Sequence, residues 1–194
     1  VNLAPSIAMR MNFVGELGWE LHHPIEYQNH IFDALMEAGK EFNLSPFGIR
    51  AMDSLRIEKS YKLIGTEMSI EYAAMESGLD RFVHLNKGNF IGRDALVKWQ
   101  QSGFKNQFVT LEVKDIKDAD ALGNNPIYKN DELVGRATGG NYGFRVHKSL
   151  ALGMVNPKFS RVGTELSMDI LGTLHKVEVI EDSPYDPENK VIKA

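Results

Sequence analysis

Glu16 is the side chain in this sequence best placed to do chemistry. It lies in Val14-Gly15-Glu16-Leu17-Gly18, where glycines on both sides allow positive φ and close approach of the backbone to a partner. A carboxylate mounted this way accepts two parallel N–H donors, the pair that an aminopyrimidine edge offers. The competing reading is a solvated turn residue, the commoner fate of a polar loop side chain. Glu58 and Tyr61 form a second pair, three residues apart at the end of a helical stretch. Together they can flank a flat heterocycle, or Tyr61 can simply be core with a wet tip. Thr138-Gly139-Gly140-Asn141-Tyr142-Gly143 is rich in glycine but lacks the lysine–serine ending of a phosphate loop. It reads as a hairpin turn with Tyr142 and Arg145 as rim contacts.

Other chemistries find no support. None of the 6 histidines has ligand spacing, and adjacent His22 and His23 on a strand point to opposite faces, so no metal site is expected. With no cysteine the chain has neither disulfides nor thiolate chemistry. No GxGxxG follows a strand and no serine sits in a nucleophile elbow. A net charge of −4 with scattered Lys and Arg gives no basic block for nucleic acid or an anionic membrane. No apolar run approaches the roughly 20 residues of a membrane span, and no signal peptide opens the chain. The first residue is Val1 and a strand follows almost at once, so the chain is expected to be a fragment of something longer. An opening strand with a bare edge leaves room for a homo-oligomer.

The elements that would carry these residues follow from periodicity. Ile7, Met9, Met11 and Phe13 alternate with polar or small residues, as do Trp19 and Leu21, which predicts a hairpin with its tip at Glu16. Glu26 to Phe42 reads as an amphipathic helix with Ile31, Phe32, Leu35, Met36 and Phe42 on one face. Ser45-Pro46 is the expected start of a second helix running to about Lys59, with Met52 and Leu55 inward and Lys59 on a more polar side. A short helix is expected from Arg93 to Gln101, with Leu96, Val97 and Trp99 inward. Helical periodicity ends near Gln101-Ser102-Gly103. Five short strands follow, at 108–113, 133–137, 150–155, 166–170 and 176–180, punctuated by Gly123 to Pro126, Gly139 to Asn141 and Gly172-Thr173. The expectation is α+β up to residue 101, and from 102 to 194 a small β-barrel or sandwich.

Phe13-Val14-Gly15-Glu16-Leu17-Gly18-Trp19-Glu20-Leu21 resembles the folate-binding region of the aminomethyltransferase superfamily, in particular its branch fused to dimethylglycine and sarcosine dehydrogenases. Arg50 to Tyr61, Glu76-Ser77-Gly78-Leu79, Phe90 to Leu96, Gly135 to Gly140 and Ser183-Pro184-Tyr185-Asp186-Pro187 agree with that family in order. The resemblance implies part of a folate-binding domain followed by the family's C-terminal β-barrel. It implies tetrahydrofolate as cofactor, an amine-derived iminium as second partner, and FAD only in a separate upstream flavin domain. By this resemblance Glu16 fixes the pterin, Phe13 and Tyr61 supply flat contact, and Arg50 or Arg56 reaches the glutamyl tail or pairs with Asp53. The activity would be capture of a one-carbon unit from dimethylglycine or sarcosine, in the cytoplasm or, in a eukaryote, the mitochondrial matrix. A non-catalytic folate-binding domain and a free-standing glycine cleavage T-protein are the alternatives. Two departures stand out: Met52 occupies the place of an arginine in free-standing members, and the family's catalytic aspartate belongs to sequence upstream of this chain. The fragment alone is therefore expected to be inactive.

Overall fold

Leu150-Ala151-Leu152-Gly153-Met154-Val155 contains no polar side chain, a pattern that requires cover on both faces of a strand. The computed structural model, which describes residues 1–116 and 118–193, provides that cover. Strands β3 (Gln107–Val113), β4 (Pro126–Lys129), β5 (Glu132–Gly143), β6 (Lys148–Val155), β7 (Glu165–Ile170) and β8 (Thr173–Ile180) close into an antiparallel barrel in the order β3-β6-β5-β4-β7-β8. Ala151 and Val155 point into the barrel with Val109, Leu111, Ile127, Met168 and Val179. Leu150, Leu152 and Met154 alternate to the outer face, where Phe108 and Ile57 cover them. Ile57 belongs to helix α2 (Ile49–Ile57), which packs on β5 and β6. Strand β7, by contrast, alternates strictly between buried and more exposed residues, as expected with one face in the core.

The barrel has one strand more than the sequence suggests. Pro126, read as turn punctuation, is the first residue of β4, a position where its missing N–H costs nothing. Asn130 and Asp131 both take positive φ and join β4 to β5 as a two-residue hairpin loop. Gly139 to Asn141 is likewise strand rather than turn, because β5 continues to Gly143 through an irregularity between Ala137 and Gly139. There the absent side chain serves proximity: a Cβ on Gly140 would lie 2.7 Å from that of Ala121.

Before the barrel, β1 (Ile7–Met9) pairs antiparallel with β2 (Glu20–His22), and among the described residues neither has another neighbour. The connection between them is a ten-residue loop rather than a tight turn. Helix α1 (Gln28–Ala38) is flanked by 3-10 turns, and only Ile31 of its expected apolar face is buried; Phe32 is 54% exposed. Ser45-Pro46 does not start α2, which begins after extended Gly48. Met52 and Leu55 are half-buried, while Ser54, Arg56 and Ile57 form the buried side. Helix α3 (Arg93–Ser102) has Leu96, Val97 and Trp99 half-buried, and a four-residue helix α4 (Lys190–Lys193) follows the barrel. None of the described helices is long and apolar enough to cross a membrane.

Gly135 provides a test of the barrel's close packing. A Cβ there would lie 2.8 Å from Val155 Cα and closer still to the Met154 carbonyl oxygen, both backbone atoms that cannot move aside. Gly135→Ala is expected to destabilise the protein by about 1–3 kcal/mol through overpacking. Urea denaturation would read this as a lower midpoint at unchanged slope.

Candidate functional site

Four segments meet at the C-terminal end of α2. The helix closes in a Schellman arrangement, with Tyr61 N–H donating to the Arg56 carbonyl (3.0 Å), Ser60 N–H donating to that of Ile57 (2.9 Å), and Ser60 left-handed at φ 55°. Glu58, Lys59 and Ser60 in this turn are at most 3% exposed, so Lys59 is not on a polar face. Buried charge requires partners, and each has them. Glu58 accepts the Arg145 backbone N–H at 2.6 Å and, in a shorter contact, its Nε. Lys59 Nζ donates to the carbonyls of Tyr185 (3.1 Å) and Asp186 (2.7 Å) and to Asn189 Oδ1 (2.9 Å). Burial pushes the Lys59 pKa down, with Asp186 pulling it back up. Ser60 Oγ lies 2.7 Å from Thr110 Oγ1 on β3 and accepts Ser183 N–H at 2.9 Å, and Thr110 Oγ1 donates to Asp182 at 2.7 Å. The hairpin loop joins from the other side: a Cβ on Gly15 would sit 2.5 Å from Lys59 Cγ, and this residue holds φ +78°.

A cleft of about 520 Å³ opens beside this junction, lined among others by Phe13, Tyr61, Lys62, Met68, Arg81 and Asp182. The Phe13 and Tyr61 rings stack, with centroids 6.0 Å apart and an interplanar angle of 20°. Tyr61 is held through its backbone, since Arg56 Nη1 donates to its carbonyl at 2.8 Å. Burial raises the Tyr61 hydroxyl pKa, partly countered by Arg81. Lys62 Nζ stands 3.8 Å above the Phe108 ring, donates to the Ser60 carbonyl at 3.2 Å and lies 4.0 Å from Asp182. Burial depresses its pKa, and Asp182 and Glu67 oppose that. Glu67, fully buried, anchors the loop running from Tyr61 to Met68. It accepts Leu63 N–H (2.8 Å), Thr66 Oγ1 (2.7 Å) and, closer, Thr138 Oγ1 of the barrel. Burial would raise its pKa; the two hydroxyls, that N–H and the Arg56 charge outweigh it and hold the carboxyl below its ordinary value.

Of the side chains expected at a site, Phe13 and Tyr61 are brought together on the cleft wall. Glu16 lies outside the lining, on the hairpin loop, where its Oε1 accepts both Arg145 Nη1 (2.5 Å) and Tyr185 OH (2.8 Å). Glu58 faces Arg145 rather than the cleft. Arg50 is exposed in the first turn of α2, and Arg56 pairs with Asp53 at 2.6 Å. Tyr142, on β5, sits edge-on to Phe144 at 5.0 Å, and its carbonyl accepts Ser54 Oγ at 2.5 Å, apart from the cleft. Sequence reasoning missed Lys62, Arg81 and Asp182 as cleft residues, and Tyr185 as a partner of Glu16. Lys62, Arg81 and Asp182 are isolated polar residues with no motif of their own, while Tyr185 lies in the Ser183 to Pro187 stretch, whose resemblance gives it no partner. Among the described residues no group of acidic and histidine side chains could hold a metal ion.

Comparison with known proteins agrees with this architecture. Residues 1–87 match the GCVT N-terminal domain and residues 106–186 the glycine cleavage T-protein C-terminal barrel domain. The human mitochondrial dimethylglycine dehydrogenase is 38% identical over 183 residues, covering 94% of this chain and 21% of that protein. The mitochondrial sarcosine dehydrogenase of Mus musculus is 33% identical, covering 96% and 21%. An aminomethyltransferase of Thermoanaerobacter sp. (strain X514) is 30% identical, covering 95% and 50%. The chain thus spans about half the length of the matched aminomethyltransferases and about a fifth of the dehydrogenases. In fold, it matches the crystal structure of glycine cleavage system aminomethyltransferase T from Bartonella henselae with a TM-score of 0.83 at 22% identity, over 93% of this chain and 50% of that one.

The Glu67 anchor should reveal itself in acid. Its folded pKa is lowered, so its stabilisation is complete above the unfolded value of 4.5 and is lost as pH falls through the folded one. Glu67→Gln removes the charge and sets an amide donor against donors, with an expected loss of about 2–3 kcal/mol at neutral pH. Denaturant titrations should show the gap between wild type and variant narrowing as pH drops below 4.5.

Proposed function

Because this chain belongs to the glycine cleavage T-protein (aminomethyltransferase) family, we propose that it is the tetrahydrofolate-binding module of an enzyme that captures a one-carbon unit from an N-methyl amine such as dimethylglycine or sarcosine. The observation that carries this reading is the cleft beside α2, with a stacked aromatic pair on one wall and Lys62, Arg81 and Asp182 among its other lining side chains. A flat reduced pterin gains contact against Phe13 and Tyr61. The cations suit the carboxylates that a folate carries at its other end, and about 520 Å³ is within the range of small-molecule sites. When bound, tetrahydrofolate supplies the nitrogen that accepts the one-carbon unit; the residues of this chain bind and orient it, so their part in the reaction is proximity.

In this reading Glu16 contributes its carboxylate at the rim of the cleft. Residues 1–101 form part of the folate-binding domain and 102–194 the barrel domain that closes one side. A flavin domain elsewhere in the protein would oxidise the amine to the iminium. A mitochondrial matrix location in eukaryotes is in keeping with the names of the dehydrogenase relatives.

Calorimetric titration of the full-length protein with tetrahydrofolate tests the reading. Tyr61→Ala removes half of the stacked wall and is expected to weaken binding by about 1–2 kcal/mol, roughly 5- to 30-fold, while Tyr61→Phe stays near wild type. No detectable binding by wild type, or equal dissociation constants for wild type and Tyr61→Ala, would overturn it.

A further inference from the structure

We propose that Arg145 and Tyr185 are positioning residues for Glu16: they fill one of its carboxylate oxygens and hold the other ready for a single N–H donor of a planar amino-heterocycle. This rests on the folate reading of the neighbouring cleft and gives that site its mode of polar recognition. Arg145 lies in the connection between β5 and β6, and its guanidinium is fixed before it reaches Glu16. Nε and the backbone N–H are held by Glu58, which has no exposure, and Nη2 donates to the Leu55 carbonyl at 3.0 Å. Only then does Nη1 extend 2.5 Å to Glu16 Oε1. Tyr185 is fixed just as firmly. Its N–H donates to the Glu58 carbonyl at 3.0 Å, its carbonyl accepts Lys59 Nζ, and its ring lies 3.7 Å under the Arg145 guanidinium. Its hydroxyl supplies the second donor to the same Oε1, at 2.8 Å.

Both donors converge on one oxygen, and among the described residues Oε2 receives no protein donor. A half-exposed glutamate on a loop ordinarily samples several rotamers; here two prefixed donors select one, which lowers the entropy that a ligand would otherwise have to spend in ordering it. The location is suitable, because Gly15 rides on the stem of Lys59 and Lys59 lines the cleft. Glu16, outside the cleft lining but next to the Gly15–Lys59 contact that borders it, is thus a pre-oriented acceptor suited to a ligand that presents one N–H to it rather than two in parallel. The sequence motif alone does not distinguish these modes.

The decisive variant is Tyr185→Phe, which keeps the ring over Arg145 and deletes only the hydroxyl donor. Calorimetry with tetrahydrofolate on the full-length protein is expected to show roughly 3- to 10-fold weaker binding for Tyr185→Phe, and tenfold or more for Arg145→Gln if circular dichroism shows it folded. Glu16→Ala should weaken binding too, and in that background Tyr185→Phe should have no further effect. A merely structural role would give the same loss with or without Glu16. Unchanged affinity in Tyr185→Phe, an equal loss in the Glu16→Ala background, or no loss in Glu16→Ala itself would overturn the inference while leaving intact a cleft reading supported by Tyr61→Ala. No binding by wild type would overturn both.

Discussion

Glu58 and Arg145 form the ion pair on which the geometry of the site depends. Glu58 has no exposure and sits at the end of α2; Arg145 arrives from the barrel, and the glycine at position 143 leaves room for the approach. A Cβ on Gly143 would stand 3.0 Å from Glu58 Cγ and 3.2 Å from its Oε1. Breaking a buried pair of this kind by removing one partner costs roughly 3–5 kcal/mol, because the other charge stays behind without compensation. Its importance here is less as net stabilisation than as location. Helix, barrel, hairpin loop and the segment after β8 take their relative positions from groups on or next to these side chains: Tyr185 from the Glu58 carbonyl, Glu16 from the Arg145 guanidinium.

Charge in the cleft runs against the charge of the whole chain. The sequence carries −4 overall, yet the wall beside the stacked rings presents Lys62 and Arg81, with Asp182 engaged by Thr110. Overall charge governs solubility and long-range encounter, whereas a recognition site depends on a few partly desolvated groups. Lys62 illustrates the cost. Its pKa is depressed by burial, and the aromatic face of Phe108 and the Ser60 carbonyl offset part of that penalty.

The architecture was largely legible in the sequence because it rests on periodicity. Alternation in residues 166–170 and 176–180 is the signature of strands with one face in a core, whereas 108–113 alternates in sequence but also buries Phe108 and Thr110 on its second face, and the Gly15 to Gly18 stretch carries its family resemblance openly. What misled was residues in double roles. Pro126 and the Gly139-Gly140 pair look like punctuation, but a proline can open a strand and a glycine, here Gly140, can let a neighbouring backbone come close within one. The largest misreading concerns the end of α2, where Lys59 reads as lying on a more polar side and Glu58 as flanking a ligand, and both are buried, as is Arg56. Whether a charged side chain is buried is decided by its partner. For Glu58 and Lys59 those partners lie about 90 to 130 residues further along the chain, at Arg145 and in Tyr185 to Asn189, beyond the reach of any local pattern, whereas Arg56 is paired locally, with Asp53 and the Tyr61 carbonyl.

The left-handed turn at Ser60 has a further consequence. Backbone geometry alone would favour glycine there, yet the hydroxyl occupies the middle of a relay whose direction is determined by its ends. Ser183 contributes an N–H, which can only donate, and Asp182 a carboxylate, which can only accept. The Ser60 proton must therefore point at Thr110 and the Thr110 proton at Asp182, so every hydrogen in the relay has one orientation. Strand β3 and the segment after β8 are thereby joined by a polarised wire in which neither hydroxyl is free to rotate. A glycine at position 60 would relieve the torsion and leave the fully buried Thr110 oxygen without its donor.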